Sequence, residues 1–512
     1  MSQSTITIDP VTRIEGHLKL EVEQEDDRVT EARCSGTMFR GIENIMQGRD
    51  PRDAPMLAER ICGVCPQAHA SASCSALDEA FGVTDEIPPN GRVLRNVLLA
   101  ANVLQSHILH FYHLAALDYV DVTAAADYSG EDRALRSVKN FLDRGALEPY
   151  MPRYEGDYRL SDDENLEALR HYAQALDFRR SAHELLSLFG AKMPHQCTAV
   201  PGGVGTEVTA DRKTKAYSYV ADIRDFIENA YLPDVKLVAG RYPDGFQIGS
   251  GCGRFLSYGG FATEDEDLFA GGVSQPDGPT EEFDIANLRE HVAHSFYGDE
   301  CAGNPQGEGN TEAEPGKNGA YSWLKSPRYD GQACEVGPLA RAIVGYKKGA
   351  EPLKSRLDDF MAEANLGVDQ LDSALGRHAA RALEAHMVAD RLEDWIGELV
   401  PGEPASVPVE VPDEGEGLGL VAAPRGALAH WIRVSNGEIE SYQAVVPTTW
   451  NGSPRDARDI PGPMEQALEG TSMKDADNPF EVVRIVRSFD PCLACAVHLH
   501  RPQGNERIEV PV

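Results

Sequence analysis

The sequence has no apolar run long enough to cross a bilayer, and its start has no basic stretch followed by an apolar one. A spanning helix needs about 20 mostly apolar residues, and a signal peptide needs that basic–apolar order. Export would therefore depend on another protein. Basic residues are also scarce, with 48 Lys and Arg against 82 Asp and Glu and a formal net charge of −34. This deficit argues against a nucleic acid partner, which needs clustered basic side chains, and predicts a solvated acidic surface.

Ten cysteines are too few for a disulfide scaffold in a chain of 512 residues, and most are expected to be small buried residues. Two close pairs stand apart. Cys62 and Cys65 lie in RICGVC, and Cys492 and Cys495 lie in DPCLACAVH. A Cys-x-x-Cys turn indicates metal binding or redox chemistry in a protein of this kind. Each pair alone would also fit half a structural zinc site or a redox dithiol.

The separation of the two pairs favours a catalytic metal. Zinc ribbons place their second pair about 15–20 residues after the first, whereas most of this chain lies between Cys65 and Cys492. Four thiolates drawn from both ends of a long chain define a site between elements and not a local knot. Because thiolates suit soft or borderline metals, we expect a catalytic metal site between the N- and C-terminal segments.

Hydrophobic periodicity predicts a mainly helical protein. Residues 5–35 alternate like strands, and apolar residues at helical spacing run from Arg92 to Leu104 and on to Tyr119. Further long helices are predicted at residues 162–190, 212–230 and 350–399. His107, His110 and His113 would share one helix stripe; they could form a metal face, but we expect them to pack and hydrogen-bond near the site.

The rest of the chain looks irregular. Residues 240–345 are rich in Gly, Pro and Asp, and Asp299–Gly319 within them is predicted to be a surface loop. Residues 401–417 resemble an exposed acidic linker, and residues 418–447 a strand pair that turns at Asn436-Gly437.

The predicted fold class is mainly α with small α+β parts, a long-helix bundle core with the metal site between the N- and C-terminal segments. The expected divisions are a β-rich segment (1–60), a helical core (61–235), an irregular mixed lobe (236–350), a second part of the helical core (351–400), a mixed C-terminal segment (401–498) and a tail (499–512).

Further motifs occur in order along the chain and resemble the large, catalytic subunit of nickel–iron hydrogenases of the membrane-bound or uptake type. The resemblance covers most of the chain, although Pro66 stands where many membrane-bound members have threonine. The matching motifs are PVTRIEGHL (10–18), RGIE (40–43), SHILHFYHL (106–114), MPH (193–195), WLKSPRY (323–329), EVGPLAR (335–341), APRG (423–426) and VVPTTWN (445–451).

The resemblance implies reversible, heterolytic cleavage of H2 at a nickel–iron centre. Cys62 and Cys492 would be terminal nickel ligands, and Cys65 and Cys495 would bridge nickel and iron. The iron of this family also carries CO and cyanide.

The resemblance also assigns roles to residues around the metals. For each residue a purely structural role remains an alternative. Glu15 could be a surface glutamate and Arg425 a turn arginine, Thr448 could serve strand packing, Asp490 could cap a turn, and His69 could be a structural histidine. The implied roles are a proton relay near Cys492 for Glu15, contact with cyanide or substrate for Arg425, Thr448 and Pro424, pairing with Arg425 for Asp490, and a hydrogen bond to a bridging sulfur for His69.

A second cation site, for magnesium or iron, is implied as well. Its ligands would be Glu43, the backbone carbonyl of Ala444 and His498. Carboxylate and carbonyl oxygens suit magnesium, and an imidazole leans toward iron. The alternative for Glu43 is a salt bridge with Arg40.

The tail and the partners follow from the same resemblance. A maturation protease would cut after His498 once nickel-insertion factors have acted, which removes residues 499–512. The chain lacks clustered cysteines for an iron–sulfur relay, so an iron–sulfur small subunit is implied, with a membrane cytochrome b as a further partner.

The expected location of the protein is membrane-associated, in the periplasm or at the outer face of the membrane, where it would be exported together with the small subunit. The cytoplasm is the alternative location. Hydrogen uptake is the expected direction.

Three other functions compete with this one. A structural zinc protein would use the cysteines as clamps. The related quinone-reductase subunit of respiratory complexes shares the fold but lacks these cysteine pairs. A sensory hydrogenase binds H2 with low turnover and often lacks the cleaved tail.

Overall fold

Long helices form the centre of the protein. The computed structural model describes residues 3–146, 150–262, 267–276 and 278–496. None of the described helices combines the length and apolar character needed to cross a membrane. The described helices are α1 (Ile42–Met46), α2 (Ala54–Ala58), α3 (Pro66–Ala80), α4 (Pro89–Leu109), α5 (Arg133–Asp143), α6 (Asp162–Gly190), α7 (Ala210–Phe226), α8 (Leu232–Arg241), α9 (Pro338–Lys348), α10 (Leu353–Ala364), α11 (Ala374–Glu398), α12 (Pro447–Asn451), α13 (Pro463–Leu468), α14 (Phe480–Ser488) and α15 (Leu493–Ala496).

Helix α4 packs against both α6 and α11 and lies at the middle of the core. The predicted helix at 162–190 is confirmed, because Ser161 and Glu164 form a capping box that starts α6. The helix predicted to continue to Tyr119 changes character on the way: α4 ends at Leu109, and a π-helical turn, His110–Ala115, follows it.

The three histidines of this stretch pack and hydrogen-bond as predicted. His107 Nε2 lies 2.9 Å from Glu384 Oε1. His110 Nε2 donates to the carbonyl of Arg487 at 2.7 Å, and His113 Nε2 to that of Tyr172 at 3.1 Å. The stripe therefore joins α4 and its π-helical turn to α11, α14 and α6.

Small antiparallel sheets surround the helices. β1, β2 and β3 form one sheet, β6, β7 and β8 a second, and β11, β12 and β13 a third, while β4–β5 and β9–β10 pair alone. The described strands are β1 (Gln3–Ile8), β2 (Leu18–Glu25), β3 (Arg28–Gly36), β4 (Ala199–Val200), β5 (Gly203–Val204), β6 (Phe255–Ala262), β7 (Asp267–Ser274), β8 (Thr280–Glu281), β9 (Leu288–His291), β10 (Ser326–Tyr329), β11 (Glu414–Ala423), β12 (Gly426–Ser435) and β13 (Glu438–Val445).

The strand pair predicted at 418–447 has three strands instead. β12 and β13 turn at Asn436-Gly437 as predicted, but β11 begins inside the segment expected to be a linker. Its glycines let it lie directly on α3: a Cβ at Gly417 would stand 1.8 Å from the carbonyl oxygen of Ala76, and one at Gly419 would stand 1.9 Å from that of Ala72. These glycines serve close packing and not a flexible connection.

The predicted surface loop, Asp299–Gly319, is in part buried. Cys301 is 1% exposed and Thr311 is 4% exposed. Thr311 donates its hydroxyl to Glu43 Oε2 at 3.1 Å, and Lys317 donates to the carbonyls of Val292 and Tyr297. The polar residues that made this segment look solvated bind other buried polar groups.

Glu465 on α13 makes the stability of the protein depend on pH. Its Oε1 accepts hydrogen bonds from the backbone N–H of Cys34 and the hydroxyl of Tyr321, each at 2.9 Å. Burial raises the pKa of this fully buried carboxyl to about 8, against about 4.3 in an unfolded chain. Between those values the folded protein binds more protons than the unfolded one, so stability falls as pH rises.

We expect Glu465→Gln to flatten this dependence. Each pH unit crossed between the two pKa values lowers the wild-type free energy of unfolding by at most about 1.4 kcal/mol through this group. Denaturant unfolding between pH 5 and pH 9 measures the difference between wild type and variant. Parallel stability curves for the two proteins would show that Glu465 does not titrate in this range.

Candidate metal centre

Four buried sulfurs meet between the two ends of the chain. Cys62 follows a 3-10 turn, and Cys65 caps α3. Cys492 and Cys495 lie at α15, just after α14. The four Sγ atoms lie within 4.8 Å of one another. Three of the separations are 3.0 Å between Cys492 and Cys495, 3.2 Å between Cys65 and Cys495, and 3.4 Å between Cys62 and Cys492.

Backbone contacts hold the two ends together. Residue Glu15 forms a parallel bridge with Cys492: its N–H donates to Pro491 O at 3.3 Å, and its own carbonyl accepts from Leu493 N at 2.8 Å. Gly16 has a φ of +79°, and a Cβ there would stand 2.6 Å from the amide nitrogen of Ala494. Only glycine fits this approach, which accounts for the Glu15-Gly16 sequence.

Arg40 ties the two cysteine pairs to each other. Its guanidinium donates to the carbonyl of Ile61 at 2.6 Å, one residue before the first pair begins. It also donates to the carbonyl of Ala494, one residue before Cys495. The sequence had offered Arg40 only as a partner for Glu43. A fork of fixed N–H donors that reaches both ends is a role that spacing along the chain does not reveal.

The electrostatics of the sulfurs fit a thiophilic metal. Although burial opposes ionisation, hydrogen bonds from Cys492, Cys495 and Cys65 and the charge of Arg425 hold the pKa of Cys62 well below its usual value. Burial raises the pKa of Cys492 and of Cys495 well above the usual range. Four thiolates so close together need a cation between them to ionise, and sulfur donors suit nickel and iron.

Glu15 touches one of the four sulfurs. Its Oε2 lies 3.1 Å from Cys492 Sγ and accepts from the N–H of Ala494 at 3.1 Å. Burial, followed by the charge on Cys62, raises the pKa of Glu15. A carboxyl with a raised pKa against a metal-binding sulfur is placed to exchange a proton with it, so Glu15 is not an ordinary surface glutamate.

Arg425 and Asp490 form a buried ion pair beside the sulfurs. Arg425 Nε donates to the Asp490 carbonyl at 3.0 Å, and Arg425 Nη2 lies 3.0 Å from Asp490 Oδ1 without hydrogen-bond alignment. Arg425 occupies the turn from β11 to β12 with Pro424. Among the described residues, its Nη1 has no hydrogen-bond partner although it is buried. A charged donor thus remains available next to the clustered sulfurs.

Thr448 lies on the same side. Its Oγ1 accepts from the N–H of Cys492 at 3.0 Å, which leaves the hydroxyl hydrogen able to donate. A small cavity with mostly apolar walls lies beside the sulfurs. It is lined by Ala68, His69, Ala423, Pro424, Arg425, Leu428, Pro447 and Thr448 together with Cys65, Cys492 and Cys495.

His69 joins the site to a buried chain that the sequence did not reveal. Its Nε2 lies 3.5 Å from Cys495 Sγ. Its Nδ1 lies 3.1 Å from His430 Nε2, and His430 Nδ1 lies 2.6 Å from the hydroxyl of Tyr442. Burial lowers the pKa of His69 to about 4, so the imidazole is neutral and its tautomer is set by this chain.

Two of the three residues predicted at the second cation site, Glu43 and Ala444, lie in contact. Glu43 is 6% exposed, and burial raises its pKa. The N–H of Ala444 donates to Glu43 Oε1 at 3.4 Å. Lys325, which is paired with Glu290 at 2.9 Å, faces the same carboxylate. His498 lies outside the described residues.

A second group of possible ligands lies on the surface. Atoms of Glu228, His386 and Asp390 lie within 4.8 Å of one another. Arg356 donates to His386 Nδ1 at 2.7 Å, so Nε2 carries the proton and points it at Glu228. Arg224 pairs with both carboxylates. A protonated Nε2 cannot bind a metal, and this group is an ion-pair network.

Comparison with known proteins identifies the family. The family model described as nickel-dependent hydrogenase matches residues 40–498, and a second one, HoxL-like, matches residues 5–36. The periplasmic [NiFeSe] hydrogenase large subunit of Desulfomicrobium baculatum is 42% identical, over 98% of this chain and 96% of its own. The hydrogenase-2 large chain of Escherichia coli is 38% identical over all of both chains.

A solved structure agrees with these matches. The Ni-Fe-Se hydrogenase of D. vulgaris Hildenborough in the reduced state aligns with a TM-score of 0.87 and 41% identity, over 97% of this chain and 100% of that one. Neither a structural zinc protein nor a sensory hydrogenase is favoured by these relatives. Four sulfurs between the chain ends, a carboxyl on one of them and matches over nearly the whole length lead to one conclusion: the chain belongs to the nickel-dependent hydrogenase family, as a large subunit that cleaves H2.

Proposed function

We propose that Cys62 and Cys492 are terminal nickel ligands and that Cys65 and Cys495 bridge nickel and iron. The observation that carries this proposal is the cluster of four buried sulfurs with Glu15 against Cys492. When bound, the metals supply the Lewis acid that polarises H2. The buried setting excludes water, so charge interactions inside it are stronger than in solvent.

Glu15 takes the proton that leaves Cys492 in this proposal. The 3.1 Å contact between Glu15 Oε2 and Cys492 Sγ gives a direct path. The N–H of Ala494 donates to the same oxygen and fixes its direction. Because the raised pKa of Glu15 brings it closer to neutral pH, the carboxyl can both accept and release a proton.

The cavity beside the sulfurs would receive the CO and cyanide that the iron would carry in this proposal. Its mostly apolar walls, which include Pro424, would suit CO, and its hydrogen-bond donors would suit the cyanide nitrogen. The donors include Arg425 Nη1 and the hydroxyl of Thr448. The Asp490 carbonyl keeps the guanidinium in place by accepting from Arg425 Nε, and His69 would donate to Cys495, which would be a bridging sulfur in this proposal.

Infrared spectroscopy of the purified heterodimer tests this assignment. We expect CO and cyanide stretching bands in the wild type. Arg425→Lys should shift the cyanide bands more than the CO band, because only the cyanide nitrogen accepts the guanidinium hydrogen bond. The control is Arg433→Lys, which changes a half-exposed arginine on β12, the strand that begins right after Arg425. Cyanide bands that move no more in Arg425→Lys than in Arg433→Lys would contradict the role of Arg425.

A magnesium or iron ion binds at Glu43, the carbonyl of Ala444 and His498 in this proposal. Support comes from the burial of Glu43 and its contact with the Ala444 backbone. Elemental analysis checks it: Glu43→Gln should lose this ion and keep nickel, and a variant that retains the full wild-type metal content would refute it.

Maturation removes residues 499–512. The family match ends at residue 498, next to the cut expected of a protease that acts after the nickel-insertion factors. The mass of the purified subunit checks this directly, since the mature chain should end at His498.

Large subunits of this family pair with a small subunit. We propose that its iron–sulfur clusters receive the electrons, that a membrane cytochrome b accepts them next, and that the direction is H2 uptake. The names of relatives, periplasmic in one and uptake in others, favour the periplasmic side of the membrane. Cell fractionation separates this location from the cytoplasmic alternative.

A further inference from the structure

Two buried side-chain amides of α4 hydrogen-bond to the turn between Cys62 and Cys65. Asn102 Nδ2 donates to the carbonyl of Val64 at 2.9 Å, and Gln105 Nε2 donates to the same oxygen at 2.5 Å. Asn102 is 0% exposed and Gln105 is 1% exposed. A carbonyl that receives two buried side-chain donors from one helix is held in direction as well as in position.

The Val64 carbonyl that accepts both hydrogen bonds belongs to the same peptide unit as the N–H of Cys65. A trans peptide is planar, so Val64 C=O and Cys65 N–H point in opposite directions from one rigid unit. The N–H of Cys65 points at Cys62 Sγ at 3.4 Å, and the N–H of Val64 reaches the same sulfur at 3.2 Å. Holding the carbonyl toward α4 therefore aims the Cys65 amide at the sulfur of Cys62.

The amide of Gln105 cannot turn over without losing contacts at its other end. Its Oε1 accepts from Arg179 Nε and from His183 Nε2, both at 3.3 Å and both on α6. A flipped amide would place its NH2 against these two donors and its oxygen against the Val64 carbonyl. Helix α6 thus fixes the orientation of Gln105, which in turn fixes the Val64–Cys65 peptide.

We propose that Asn102 and Gln105 are positioning residues that hold the Val64–Cys65 peptide so that its N–H donates to Cys62 Sγ and tunes this sulfur as a metal ligand. The inference rests on the proposed role of Cys62 as a nickel ligand. Hydrogen bonds to a ligand sulfur draw electron density away from the metal and raise its reduction potential. Loss of the hydrogen bonds from Asn102 and Gln105 lets the peptide rotate. This weakens the hydrogen bond from the Cys65 N–H to Cys62 Sγ and lowers the reduction potential of the metal.

Variants that keep shape but lose the donors test the proposal. Gln105→Met and Asn102→Leu each remove one donor to Val64. The matched control is Asn90→Leu, on the same helix, where a buried amide donates to the carbonyls of Val400 and Glu403 and not to the cysteine turn. Each variant is purified as the heterodimer. Nickel release to a chelator and the midpoint potential of the nickel signal in a redox titration are then measured.

We expect both turn variants to release nickel roughly 10- to 100-fold more readily than the wild type, as for other residues that orient metal ligands. Their midpoint potentials should shift to more negative values. Asn90→Leu should lower the thermal midpoint and leave nickel release and potential unchanged. If Gln105→Met does not accumulate, Gln105→Asn takes its place, since it withdraws the donor by one methylene and keeps a polar group.

Two outcomes overturn the assignment, and they differ from each other. If the turn variants match Asn90→Leu in nickel release and potential, Asn102 and Gln105 only pack the helix. If the wild-type heterodimer itself contains no nickel, the proposed role of Cys62 fails and the positioning role fails with it.

Discussion

We expect the Cys492→Ser variant to lose H2 oxidation and nickel together. Cys492 Sγ lies within 3.4 Å of two other cluster sulfurs and 3.1 Å from Glu15, so it contacts both the sulfur cluster and the proposed proton acceptor. A serine hydroxyl is a hard, weakly acidic ligand where a soft thiolate is needed. The loss should exceed the roughly 10- to 100-fold effect of removing an outer hydrogen bond. Reduction of an artificial electron acceptor under H2 and elemental analysis measure it.

Cys74→Ser provides the control for this experiment. Cys74 is a fully buried cysteine on α3, the helix that Cys65 caps, and it is not one of the four clustered sulfurs. The same exchange of sulfur for oxygen there should leave nickel content and H2 oxidation near those of the wild type. Full activity and nickel in Cys492→Ser, or equal losses in both variants, would contradict a specific role for Cys492.

The meeting of the two cysteine pairs could be predicted from sequence because the chemistry is local. Each Cys-x-x-Cys turn presents two sulfurs, and their separation along the chain excludes a short zinc loop. What holds the ends together could not be predicted. The approach of Gly16 to Ala494 and the reach of Arg40 to both pairs depend on backbone positions that only the folded chain defines.

The residues behind His69 illustrate the same limit. His430 and Tyr442 lie on β12 and β13, and their side chains reach His69 because this hairpin and β11 pack on α3. The hairpin itself was predictable from Asn436-Gly437. Its position against α3 depends on Gly417, the last residue of the segment predicted to be an exposed acidic linker, and on Gly419, in the predicted strand pair. A residue type that serves both turns and close packing does not tell the two apart without the fold.

The start of helix α6, by contrast, could be predicted from the sequence alone. Its start is encoded by Ser161 and Glu164, which satisfy each other's backbone donors without help from distant residues. The burial of Thr311 is the opposite case, because its partner Glu43 is distant in sequence. Local hydrogen bonding therefore makes element bounds predictable, whereas buried polar pairs between distant segments appear only in the structure.

We expect the Glu15→Gln variant to keep its metals and to lose proton exchange. The amide can still accept from the N–H of Ala494, so the contact between the two chain ends survives. It cannot take a proton from Cys492, because an amide is not a base at neutral pH. General acid–base groups contribute roughly 10²- to 10⁴-fold to a rate, and we expect a loss of H/D exchange and of H2 oxidation in that range. Mass spectrometry of the gas phase over D2O measures the exchange.

Glu465→Gln separates the loss of this proton path from the general effect of replacing a buried carboxyl. Both glutamates have a raised pKa because of burial, but the hydrogen bonds of Glu465 go to Cys34, Tyr321 and Gly462 and not to the four clustered sulfurs. Its replacement should leave exchange near the wild-type rate. Wild-type exchange in Glu15→Gln with full nickel content would exclude Glu15 as the proton acceptor. Because the metals stay bound in the expected result, the defect lies in the path of the proton and not in the assembly of the centre.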